Sequence, residues 1–183
     1  VSTGMGDEEE ENFVLESYKR DGLPLLGGEH LLHHIIALIF EANQETFLAN
    51  SAELELPKTF HDVDLKGVNH LFKGAFAAVN KLSMIQACRY LLTLTYPEGF
   101  TRPWQSTIEV NLMTKERECR AIELTVPYEQ IYKYLKKQFE IGVTRFLNSM
   151  SEVLETQVRN NNYIHNIKIV RSGNTCRSLF LRK

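Results

Sequence analysis

Apolar residues recur at spacings of three and four along three stretches of this chain, and at spacings of two along four others. The widest helical pattern runs over 63–94, where Val68, Leu71, Phe72, Ala75, Phe76, Val79, Leu82, Ile85, Cys88, Leu91 and Leu92 cover more than half of a helical circumference. A helix that apolar is covered from two sides, so the pattern predicts a central helix with Asp62 or Asp64 as its cap. Tyr96, Pro97, Glu98 and Gly99 supply its stop. The stretch 29–49 is almost as apolar through Leu31, Leu32, Ile35, Ile36, Leu38, Ile39, Ala42 and Phe47, and predicts a second helix packed against the first. A shorter helix is expected over 13–20, followed by a Leu-Pro-Gly loop over 23–28. The segment 53–56 alternates and then meets Pro57, which suits a short edge strand.

Beyond Pro103 the period changes to two. The segments 107–112 and 120–126 place apolar side chains at every second position around the charged turn Lys115, Glu116, Arg117 and Glu118, which predicts a hairpin with one dry face. Pro127 then opens a long helix over about 128–158, with Ile131, Tyr134, Leu135, Phe139, Val143, Phe146, Leu147, Met150, Val153, Leu154 and Val158 on its inner face. Residues 163–182 read as a second hairpin turning at Ser172, Gly173 and Asn174. The sequence therefore predicts an α+β fold: a helical N-terminal half packed with an antiparallel sheet built from two hairpins (107–126 and 163–182) and a long helix (128–158). Residues 1–12 form an acidic tail and 13–183 a single α+β domain.

Composition adds constraints. The three cysteines, Cys88, Cys119 and Cys176, are far apart and show no metal-ligand spacing, which favours a reducing compartment, cytoplasm or nucleus. The longest apolar run, 31–40, is about half of the ~20 residues a membrane span requires, so no membrane contact is expected. The first residues lack the basic and apolar regions of a signal peptide, and 1–6 read as a cut end of a longer natural protein. A net charge of −2 conceals a polarity: residues 1–100 carry 15 acidic and 7 basic side chains, and 101–183 carry 8 and 14. From residue 159 onward there are six basic residues, Arg159, Lys168, Arg171, Arg177, Arg182 and Lys183, and no acidic one.

Catalytic motifs are weak. His30 and His34 share a helical face, as do Glu29 and His33, and Glu41 follows, but no third His or Cys stands near in sequence. The pair His61-Asp62 resembles the motif of the His-Asp metal-dependent phosphohydrolases, and the resemblance fails because no Asp follows Asp64 to complete the site. There is no Gly-x-Ser-x-Gly turn and no phosphate-binding glycine loop. The expectation is thus a non-enzymatic protein–protein interaction domain without cofactor, a subunit or scaffold module of an intracellular complex. It contacts other protein subunits, acidic ones in particular, through the basic hairpin (Arg159, Lys168, Arg171, Arg177, Arg182) and the aromatic loop of Phe100 and Trp104. The alternatives are a nucleic-acid-binding domain using the same basic hairpin and a metal-dependent hydrolase. Oligomeric state is not encoded in these patterns.

Overall fold

The computed structural model describes residues 27–56, 73–92, 106–160 and Ile167. In chain order these form α1 (Gly28–Ala42), α2 (Gln44–Ala49), α3 (Ala77–Cys88) with a closing 3-10 turn (Arg89–Leu92), β1 (Thr107–Met113), β2 (Cys119–Thr125) and the long α4 (Tyr128–Arg159). The result is a mixed helical fold with a two-stranded antiparallel sheet. Among the described residues α1 is the most deeply buried helix; of the 63–94 stretch that the sequence pattern favours, 63–72 and 93–94 lie outside them. Leu31, Leu32, Ile35, Ile36, Ala37, Ile39 and Phe40 of α1 are all buried, and the helix touches α3, the 3-10 turn, α4, α2 and β2. Burial of each large aliphatic or aromatic side chain contributes about 1.5–3 kcal/mol, so this helix dominates the core.

The predicted 29–49 helix is two helices, broken at Asn43. The Asn43 backbone turns to φ −127°, ψ 22°, and its buried side chain replaces the lost helical bonds. Nδ2 donates to the Ile39 carbonyl at 2.7 Å, an acceptor left over at the end of α1, and to the Thr125 carbonyl at 2.8 Å. Oδ1 accepts from the Thr125 N–H at 2.8 Å. An asparagine ends a helix well when its short amide can satisfy the terminal carbonyls; here it also holds the end of β2.

Asn80 of α3 does the same for β1. It is fully buried, donates to the carbonyls of Glu53 and Met113 at 2.7 and 2.8 Å, and accepts from the Met113 N–H at 2.7 Å. Met113 ends β1 and Thr125 ends β2, so the two asparagines grip diagonally opposite corners of the hairpin. The hairpin itself has the predicted strands and one dry face: Ile108, Val110, Leu112, Ile122 and Leu124 are buried, while Glu109, Asn111, Ala121 and Glu123 face out. Its loop closes between Thr114 and Glu118, with Arg117 in the left-handed region at φ 64°, as a three-residue hairpin loop requires of its last residue. The expected edge strand at 53–56 is instead a single bridge, Ala52 to Thr114, followed by a segment anchored through the Glu55 N–H to the Ala77 carbonyl at 3.1 Å.

Two further corrections concern the helices. Among the described residues α3 begins at Ala77, Asp62 and Asp64 lie outside them, and Val79 and Leu82 of the expected wide stripe are exposed, Leu82 by 62%. The turn before it is tightly packed. Glu53 is a buried carboxylate, held 3.7 Å from Lys115 Nζ, and it lies against Gly74 where a Cβ would stand. Only glycine admits that approach, and the chain turns there before winding into α3. Gly74→Ala should cost about 1–2 kcal/mol by displacing the Glu53 carboxylate, and nearly nothing when Glu53 is already alanine. A chemical-denaturation double-mutant cycle reads this coupling; equal costs in both backgrounds would refute it.

The second correction is to α4. Its first half docks as expected, with Ile131 and Leu135 buried and Tyr128, Tyr132, Tyr134 and Phe139 packed against the core. From residue 140 to residue 159 no side chain is buried, and Val143, Phe146, Leu147 and Val158 are exposed rather than inward. The second hairpin, 163–182, lies outside the described residues except for Ile167, which is exposed, as do the 13–20 helix and the acidic tail. No helix among the described residues is long and apolar enough to cross a membrane.

Candidate functional site

Of the residues that the sequence singles out for partner contact, Arg159 is described. It ends α4, exposed, with its guanidinium 3.5 Å from Glu155 one turn earlier. Lys168, Arg171, Arg177, Arg182, Lys183, Phe100 and Trp104 lie outside the described residues, as do His61 and Asp62.

The histidine cluster on α1 is drawn into packing. The His34 ring stacks on Tyr134 of α4, with centroids 3.8 Å apart and planes 14° from parallel. Glu29 is 3.0 Å from Arg89 across the α1 and 3-10 ends, and Glu41 faces out. Among the described residues no three His, Cys, Asp or Glu side chains come together as a metal site. Burial pushes the His34 pKa down to about 4, with His30 adding to the effect. Burial and Lys81 lower that of His33, against the opposing pull of Glu29 and Glu55. Burial likewise pushes the Tyr134 hydroxyl up to about 12. The Cys88 thiol is raised to about 12 by burial, which leaves it protonated and unreactive at neutral pH.

A folded-state pKa below the unfolded value of 6.5 means that the native state resists protonation. The stability contributed by neutral His34 is therefore complete above about pH 6.5 and is lost as pH falls through 4. Thermal melts should show a declining midpoint between about pH 6.5 and 4.5, and His34→Phe, which keeps a ring on Tyr134, should flatten that decline. An unchanged slope in the variant would place the acid sensitivity elsewhere.

The buried polar groups belong to the scaffold. Asn43 and Asn80 bind strand ends, Glu53 pairs with Lys115, and Thr114 closes the hairpin loop. What the described surface offers for binding is the outer half of α4. At 1.5 Å per residue the 32-residue helix is about 48 Å long, and over its last twenty residues, about 30 Å, no side chain is buried. Val143, Phe146, Leu147, Met150, Val153 and Leu154 recur there at spacings of three and four, which aligns them in one stripe. Lys137, Ile141, Thr144 and Asn148 lie on the opposite side.

The periodicity of α4 discloses the stripe but assigns it wholly to the core. Comparison of the chain with protein-family models, with curated proteins and with solved structures finds no match.

Proposed function

We propose that this chain is a non-enzymatic protein–protein interaction domain, a subunit or scaffold module of an intracellular complex. The observation that carries the reading is the outer half of α4, where Phe146 and Leu147 are each about half exposed, at 48% and 49%, on an apolar face that continues through the partly buried Met150, Val153 and Leu154. Exposed apolar runs of this extent mark interaction surfaces in soluble chains. The stripe leads into the basic segment from Arg159 to Lys183, so apolar and cationic contacts would be made by one continuous piece of chain. The aromatic loop of Phe100 and Trp104 serves as a further anchor in this reading. Cys88 and Cys119, both free thiols, suit the reducing interior of a cell, in cytoplasm or nucleus.

The finer architecture follows the same reading. The second hairpin, 163–182, extends the sheet at one of its two margins. The 106–126 and 114–118 backbone bonds set the pairing so that the amides of Thr107, Glu109 and Asn111 point away from β2, and those of Cys119, Ala121 and Glu123 away from β1. Such margins accept an added strand.

Affinity capture with quantitative mass spectrometry, using the wild-type chain beside R171E/R177E and F146E/L147E variants, tests the function. A discrete set of proteins should be retained by wild type and fall at least tenfold with one or both variants. Wild-type capture no better than control, or capture indifferent to both variants, overturns the reading. So would retention of labelled RNA or DNA that weakens steeply with salt, which would give the basic segment to phosphates.

A further inference from the structure

We draw no further inference here: the strongest candidate, the exposed apolar stripe of Val143, Phe146 and Leu147 on the outer half of α4, carries none because nothing among the described residues shows what covers it.

Discussion

Replacing Asn80 by alanine should destabilise the fold by about 3 kcal/mol, among the largest losses available from a single polar side chain. Three hydrogen bonds disappear at once, and each partner is left inside the protein: the Glu53 carbonyl, the Met113 carbonyl and the Met113 N–H. A net hydrogen bond contributes about 1 kcal/mol, but a buried backbone group deprived of its partner costs about 1–3 kcal/mol. Part of that cost is relieved because Met113 stands at a strand end where water can enter. Asn80→Asp keeps the shape and removes the donors, so its carboxylate faces two carbonyl oxygens. It should be at least as damaging, and increasingly so as pH rises above about 4, where the acid ionises in the unfolded chain while burial resists its ionisation in the fold. Urea denaturation of both variants gives the answer; a loss for Asn80→Ala below about 1 kcal/mol would mean that the amide is incidental.

The second large effect separates neighbours on α3. Met84 is fully buried, whereas Leu82, two residues away, is 62% exposed. Met84→Ala should cost about 2–4 kcal/mol through lost transfer energy and the cavity left behind, while Leu82→Ala should stay within about 0.5 kcal/mol. Hydrophobic pattern alone ranks these residues the other way, since Leu82 belongs to the three-and-four series and Met84 does not. Comparable losses at both positions would show that the pattern, and not the observed packing, describes this helix.

That contrast shows where sequence reasoning succeeds and where it stops. The hairpin was readable because alternation with a charged turn has one physical solution: Ile108, Val110, Leu112, Ile122 and Leu124 go in, and the residues between them go out. The span of α4 was readable from Pro127 to the polar Asn160 for the same reason. The break at Asn43 was not, because its amide finds a partner in Thr125, 82 residues away, and local propensity carries no trace of so distant an acceptor. The packing of Glu53 against Gly74 in the turn before α3 is likewise a tertiary event. For α4 the pattern identified the apolar face, yet a stripe is silent about what lies against it. Of the candidate site, Arg159 alone lies among the described residues. The α1 histidines were rightly noticed as sharing a helix, but the ring of His34 is spent on Tyr134.

The placement of Asn43 and Asn80 reverses the usual behaviour of a short β-ribbon. Ribbons ordinarily fray from their ends, where amides exchange with solvent fastest, yet here the terminal amides of Met113 and Thr125 are the ones locked to side chains from the helical layer. Deuterium uptake along the two strands should therefore be slow at these diagonal ends and faster at the outward amide, of Glu109 or of Glu123, on whichever margin carries no added strand.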